Sequence, residues 1–357
     1  MIKAAIIGCG KIADKHAGSI ERIAGSKIVG VCDREELMAK QIYERFNVKR
    51  YFSDVNELLE VERPDVVHVT TPPQSHFHLG RLCLEAGCHV FIEKPFTLNT
   101  AEASELIQLA TAKNLKMTAG HTVQYSDVAI RMRRLIKSGY LGGPPVHMES
   151  IYCYDFGDQR FAKALLGDKE HWVKALPGKL LQNIISHGIS KIAEFLTDDS
   201  PQVIAHGFTS SFLESIDETE IIDELRVIIR DGQTTAYFTF SSQMSPTLHQ
   251  FRIYGPKNAL IADDDHQTLI KLCATNYKSY LNFFIPPAIY SKQFLANSGS
   301  NISRFIRGDL HNDAGMKALI ESFYRSISDG SPLPISYREI LVTSKIMDDI
   351  FSQVNPQ

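Results

Sequence analysis

The sequence predicts an α/β chain in two parts: a doubly wound parallel sheet, then an α+β region on a large, mostly antiparallel open sheet. Three observations lead there. Short apolar runs alternate with helical patterns through the first third. A glycine turn joins the first apolar run to the first helix. From Pro144 onward, strand-like runs follow one another with few helices between them.

Residues 1–33 hold the densest signal. An apolar run, Ala4-Ala5-Ile6-Ile7, leads directly into Gly8-Cys9-Gly10-Lys11-Ile12-Ala13; a helical pattern follows, and a second apolar run ends on Asp33. Each part suits a dinucleotide. Gly8 permits the tight turn, and Gly10 lets the backbone approach a pyrophosphate. Ala13 packs helix against strand, and the first N–H groups of the helix face the phosphates. Asp33 can accept hydrogen bonds from the adenosine ribose. Its carboxylate favours NAD; Arg34 beside it can meet a 2′-phosphate, which keeps NADP open. The same pattern also fits a glycine turn without any ligand.

Strands are expected at 2–7, 27–32, 65–70, 89–92 and 116–120, with helices at 11–24, 34–46, 54–60, 75–86 and 100–113. In such sheets ligands lie beyond the carboxyl ends of the strands, so the loops after Ile7, Cys32, Thr70, Ile92 and Ala119 matter. Two prolines stiffen Thr71-Pro72-Pro73-Gln74-Ser75-His76, and Ser75 is placed to cap the next helix. His76 and His78 fit a solvated helix start; with no third ligand in sight, no metal is expected. After Ile92 comes Glu93-Lys94-Pro95, which puts a lysine where the reactive end of a cofactor belongs. Taken alone, a lysine there is surface charge.

In the second part, runs at 146–153, 202–212, 221–230, 234–242, 248–254 and 258–262 read as strands, with turns at Asp231-Gly232 and Gly255-Pro256. Residues 275–311 read as irregular and aromatic-rich, and helices are expected near 313–328 and 336–352. The expected division is 1–122 for the dinucleotide-binding domain and 123–357 for a substrate-binding and oligomerisation domain. One helix, 180–195, interrupts the sheet pattern. Ile184, Ile185, Ile189, Ile192 and Phe195 form its apolar stripe. Asn183 and His187 share a face one turn apart, and Lys191 continues the row. By periodicity that row reads as a solvated face.

The totals narrow the field. With 357 residues, 44% of them hydrophobic, two cores are affordable in size; 38 basic against 41 acidic residues give a net charge of −3. No basic stripe points to nucleic acid, and no window reaches the length of a membrane span. Six cysteines without a CxxC pair suit a reducing, cytoplasmic setting.

The glycine turn at 8–13, Thr70-Thr71-Pro72, Glu93-Lys94-Pro95 preceded by AGCHVFI, and the later helix with His187 together resemble the Gfo/Idh/MocA family. That resemblance implies a Rossmann domain, a mostly antiparallel α/β domain and a nicotinamide cofactor between them. It also implies oxidation or reduction of a secondary hydroxyl or ketone on a polyol, sugar or nucleotide sugar. Lys94 is carried over as an active-site residue and His187 as the proton-transfer group. Asn183 stands where members commonly carry aspartate, and Gln124 where arginine is frequent; Trp172 matches a position near the nicotinamide, with core packing as its other reading. Cofactor contacts are expected from Gly8, Cys9, Gly10, Lys11 and Ile12 in the turn, and from Asp33 and Arg34 after the second strand. Further contacts are expected from Thr71, Pro72 and His76, from Glu93 and Lys94, and from Gln124 and Trp172. The polar and aromatic mix of Tyr154, Asp155, Arg160, His171, Tyr277 and Tyr280 suits a hydroxylated ligand. A homodimer or homotetramer is expected. Two other functions stay open: a non-catalytic dinucleotide-binding regulator of the same fold, and a reductase of a non-sugar carbonyl or dihydrodiol.

Overall fold

The computed structural model describes residues 1–155, 172–216, 218–273, 277–308, 310 and 314–354. These form two compact units, Met1–Thr122 with Gly315–Asp348, and Val123–Ala314 with Asp349–Gln357. The first unit thus takes in a late segment that the sequence reading assigned to the second part.

The first unit is built on six strands: β1 (Ile2–Ile7), β2 (Ser26–Cys32), β3 (Tyr51–Phe52), β4 (Val66–Val69), β5 (His89–Ile92) and β6 (Met117–Ala119). Their order is β3-β2-β1-β4-β5-β6, and every neighbouring pair is parallel. The central strands are buried on both faces, which is why they read as continuous apolar runs rather than alternating ones. Helices α1 (Lys11–Glu21), α2 (Glu36–Arg45), α3 (Val55–Glu62), α4 (His76–Glu85) and α5 (Thr100–Ala112) follow the strands in turn. Asp54 and Asn99 cap α3 and α5 by accepting the N–H groups of Glu57 and Glu102. Ser75 does not cap α4 as expected: its hydroxyl reaches Thr71 Oγ1 (2.7 Å) and the Pro72 carbonyl (2.8 Å), bracing the loop instead of the helix.

The second unit holds a seven-stranded sheet made of β7 (His147–Asp155), β8 (Gln202–Phe208), β9 (Glu224–Asp231), β10 (Thr234–Ser241), β11 (Gln243–Tyr254), β12 (Asn258–Asp263) and β13 (Thr268–Cys273). The order is β13-β12-β11-β7-β10-β9-β8; the central pair β7–β10 is parallel and the others antiparallel. Helices α6 (Asp127–Lys137), α7 (Lys179–Ile184), α8 (Ser186–Ala193), α9 (Ser211–Glu214) and α10 (Leu281–Ile306) belong to this unit.

The expectation of irregular chain at 275–311 is corrected by α10, a helix of 26 residues with Pro286 and Pro287 inside it. Two prolines remove two intrahelical N–H donors, so local propensity argues against the helix. Its docking on the sheet edge supplies the compensation. Gln293 accepts from Lys271 N (2.8 Å) and donates to Lys271 O (3.1 Å); one turn on, Asn297 accepts from Leu269 N (3.1 Å) and donates to Leu269 O (3.0 Å). Two carboxamides spaced i, i+4 therefore pair with residues i, i+2 of β13, as another strand would, and the exposed edge is closed.

Candidate active site

The first unit carries a cavity of about 730 Å³ at the carboxyl ends of β1, β2 and β4, lined among others by Gly8, Gly10, Asp33, Arg34, Thr71 and Pro72. Gly8 is required twice over. Its φ is +94°, and a Cβ there would stand 2.6 Å from Thr71 Cγ2 and 2.8 Å from Thr71 N. Gly10 differs: a Cβ would meet no protein atom within 4 Å. Packing does not demand glycine at that place, whereas a pyrophosphate laid over the start of α1 does, because a side chain would fill its space. Cys9 donates its N–H to Asp33 Oδ2 (2.6 Å), and Glu35 N–H reaches Asp33 Oδ1 (3.0 Å), so the carboxylate is fixed beside the turn. Lys11 is exposed and Ile12 half-buried at the helix start. Arg34 is exposed on the rim. Burial pushes the Cys32 thiol up to about 12 and Cys9 higher still, so both act as small apolar groups. A glycine turn, open helix N–H groups and a fixed carboxylate together fit the adenosine and pyrophosphate of a nicotinamide dinucleotide.

His76 is not the solvated group its position suggested. It is fully buried, with Nδ1 2.9 Å from the Pro95 carbonyl and Nε2 2.8 Å from the Thr71 carbonyl, and it ties the Thr71–Pro72 loop to the loop after β5. Burial lowers its pKa, so the neutral ring donates to one carbonyl at a time. In that second loop the Lys94–Pro95 peptide is cis. Lys94 is half-buried; burial lowers its pKa and the Glu93 carboxylate opposes this. Glu93 is buried and accepts from the Lys94 N–H (3.0 Å) and the His16 ring (2.9 Å). Its carboxylate thus accepts from two protein groups. His121, also buried, is held down to about 4 chiefly by burial; Glu93 pulls its pKa up and Lys94 down.

In the second unit, α7 and α8 run through a helical Ile185 (φ −67°, ψ −20°), and Ile189 N–H reaches the Ile185 carbonyl. Asn183 and His187 therefore do stand one turn apart. The row is not a solvated face. Across 180–193 every residue is buried except these two, which are half-buried, and Lys191 is an ion-pair partner of Asp264. A tight seat holds the helix: a Cβ on Gly188 would lie 2.2 Å from Phe238, and Ser150 Oγ donates to the Gly188 carbonyl (3.0 Å). The His187 ring lies 5.4 Å from the Tyr152 ring, which in turn packs 4.2 Å from His249, whose Nδ1 lies 2.7 Å from Asp265.

Residues 2–121 match the family model described as GFO_IDH_MocA, "Oxidoreductase family, NAD-binding Rossmann fold". Over that stretch the chain is similar to the Gfo/Idh/MocA oxidoreductases. Among relatives, a myo-inositol 2-dehydrogenase of Thermotoga maritima is 26% identical over 78% of this chain and 81% of that protein. Several other matches are partial: Oxidoreductase P35 of Formosa agariphila is 28% identical, over 38% of this chain and 43% of its own length, so the chain spans less than half of that relative. The WlbA dehydrogenase of Bordetella pertussis, solved in complex with NADH and UDP-GlcNAcA, shares the fold with a TM-score of 0.78 at 15% identity, covering 99% of this chain and 95% of that one.

Other residues forecast for the site belong to the second unit. Gln124 is buried in the second unit; its amide donates to the Ser190 carbonyl (3.3 Å) and Glu194 Oε2 (3.2 Å), so it works as a strut. Tyr125 lies under the Arg133 guanidinium at 5.0 Å. Trp172 is half-buried at the start of a 3-10 turn, Trp172–Ala175. Arg160 and His171 lie outside the described residues. Sequence reasoning missed His16, His68, His121 and Tyr152. His16 fell inside an amphipathic helix and His68 inside an apolar strand, where a single histidine carries no distinguishing pattern.

Proposed function

We propose that this chain is an NAD-dependent dehydrogenase that moves a hydride between nicotinamide and a secondary hydroxyl or ketone of a polyol, sugar or nucleotide sugar. The observation that carries it is the position of Lys94: a half-buried ammonium at the carboxyl end of β5, in the same unit as the Gly8–Asp33 dinucleotide cradle. Nicotinamide, when bound, supplies the hydride acceptor. Lys94 donates a hydrogen bond to the substrate oxygen and stabilises its developing negative charge, or polarises the ketone in reverse. His187 takes the hydroxyl proton, as a neutral imidazole can. Asn183 orients a neighbouring hydroxyl through its amide, since it cannot hold the charge an aspartate would. Asp33 favours NAD by repelling a 2′-phosphate, and Arg34 is the residue through which NADP would bind instead. The names of the relatives support the substrate class: one acts on myo-inositol, and the structure of another contains a nucleotide sugar.

Absorbance at 340 nm with NAD and a panel of myo-inositol, free sugars and UDP-sugars tests this. A rise with at least one member is expected. Tight NAD binding without reduction by any member across pH 6–10 would instead support a dinucleotide-responsive regulator, the second function, which Asn183 favours. We also propose a homo-oligomer. Exposed Phe283, Phe284, Leu295, Phe305 and Ile306 on α10, and Ile204, Ile228 and Tyr237 on the sheet, support it. The cysteines, five of the six buried, fit a reducing compartment such as the cytoplasm.

A further inference from the structure

Four buried groups of the first unit form one unbroken line. Tyr324 Oη lies 2.8 Å from His68 Nε2, His68 Nδ1 lies 2.9 Å from His16 Nδ1, and His16 Nε2 lies 2.9 Å from Glu93 Oε1. The line ends at the Lys94 loop, because Glu93 Oε2 accepts the Lys94 N–H at 3.0 Å. His16 and His68 are 0% exposed, Tyr324 3% and Glu93 5%. Phe91 stacks on His68 (5.0 Å, 14°) and meets His16 edge-on (5.1 Å), closing the line to water. The four residues come from α1, β4, the loop after β5 and the helix Ala314–Asp329.

The chemistry of the groups restricts how protons sit along this line. An ionised carboxylate only accepts, so His16 Nε2 must carry hydrogen. A neutral His16 then has a bare Nδ1, which needs His68 Nδ1–H as donor. His68 is left with a bare Nε2, which needs the phenol O–H. Every contact in that arrangement has one donor and one acceptor. The reverse arrangement requires a protonated Glu93, and it turns the phenol from donor to acceptor. Among the described residues the phenol has no second acceptor, so its O–H would be buried without a partner, which is costly. Tyr324 thus selects the polarity in which Glu93 is a carboxylate.

We propose that His16, His68 and Tyr324 are positioning residues, a hydrogen-bonded line of fixed polarity that keeps Glu93 ionised and in place beside Lys94. Through Glu93 the line sets how tightly Lys94 holds its proton. The inference rests on the proposed dehydrogenase only for why that charge matters to chemistry. Among the described residues, Glu93 is the charge that acts on Lys94, and Lys94 in turn acts on His121, which is neutral above about pH 4.

Two measurements on the substrate-free protein test it. Long-range 1H–15N spectra of histidine-labelled protein at pH 7 are expected to show His68 protonated on Nδ1 and His16 on Nε2. The opposite pair of tautomers, or a doubly protonated His16, overturns the proposal. In lysine-labelled protein, with Lys94 assigned through Lys94→Arg, the Lys94 titration midpoint is expected to fall by about one pH unit in His16→Phe. It should stay within about 0.3 in His16→Gln, whose amide can still donate to Glu93. An unchanged midpoint in folded His16→Phe, or an equal fall in both variants, also overturns it. If His16→Phe does not fold, the tautomer spectra decide alone. Because no substrate is used, failure to find dehydrogenase activity leaves these results standing, and the reverse holds too.

Discussion

Lys94 and His187, the two groups proposed to handle charge and proton, stand in contrasting surroundings. Lys94 belongs to a loop ringed by buried titratable groups, with Glu93 beside it, His16 and His68 behind that, and His121 adding to its electrostatic environment. His187 rides on a helix whose neighbours are Ile184, Ile185 and Ile189, with the ring of Tyr152 across from it. The first environment tunes by charge and hydrogen bonding, the second by packing. A fold can hold an ammonium in a half-buried place only with a counter-charge that is itself supported. For His187 the contacts among the described residues are a tightly seated helix and the Tyr152 ring.

The packing side is broken most directly at Gly188. In Gly188→Ala the new methyl group would lie 2.2 Å from Phe238, so the helix must lift from the sheet. A loss of about 4 kcal/mol in urea unfolding is expected; a loss under about 1 kcal/mol would mean that the seat is loose. The electrostatic side predicts a pH signature. His121 is held neutral to about pH 4, below the ordinary 6.5. Between those values the unfolded chain binds the extra proton, so this group's contribution is complete above about pH 6.5 and is lost as pH falls to 4. The difference corresponds to about 3 kcal/mol. Unfolding of His121→Gln across pH 4–7 should therefore show a flatter dependence than the parent. A parallel pair of curves would remove His121 from the tuned environment.

Smaller effects sharpen the contrast. Asp33→Ala should weaken NAD binding tenfold to a hundredfold by calorimetry, about 1.4–2.8 kcal/mol, while the NADP affinity changes less. Equal losses for both cofactors would mean that Asp33 serves only the Cys9 and Glu35 N–H groups. Tyr152→Phe keeps the ring against His187 and removes only the hydroxyl, which accepts from Tyr154 at 3.4 Å. Turnover should change by less than about threefold. A hundredfold loss would make the second environment one of hydrogen bonding after all.

The parallel sheet was legible because its strands are buried on both faces and each is followed by a periodic helix; only β3, two residues long, was too short to show. β13 and α10 were not legible, for a shared reason. The helix with Pro286 and Pro287 is held by Gln293 and Asn297 against the edge of β13, and neither element announces the other in sequence. At the site, Lys94 stood out by its position after β5, whereas the spacing of Asn183 and His187 read as a solvated row and only the family resemblance singled them out. Their surroundings could not be read. The line behind Glu93 joins residues as far apart as His68 and Tyr324, and nothing local in either stretch marks the contact.

Single-turnover NADH formation at 340 nm, with the substrate that the panel identifies, tests whether Lys94 and His187 serve one chemical step. Lys94→Ala and His187→Gln should each slow the step by about a hundredfold or more, and the double variant should be within a few-fold of the slower single one, because the proposed mechanism has both act on the same oxygen and proton. An unchanged rate in either single variant, or losses that multiply in full, would contradict a shared role for the two residues.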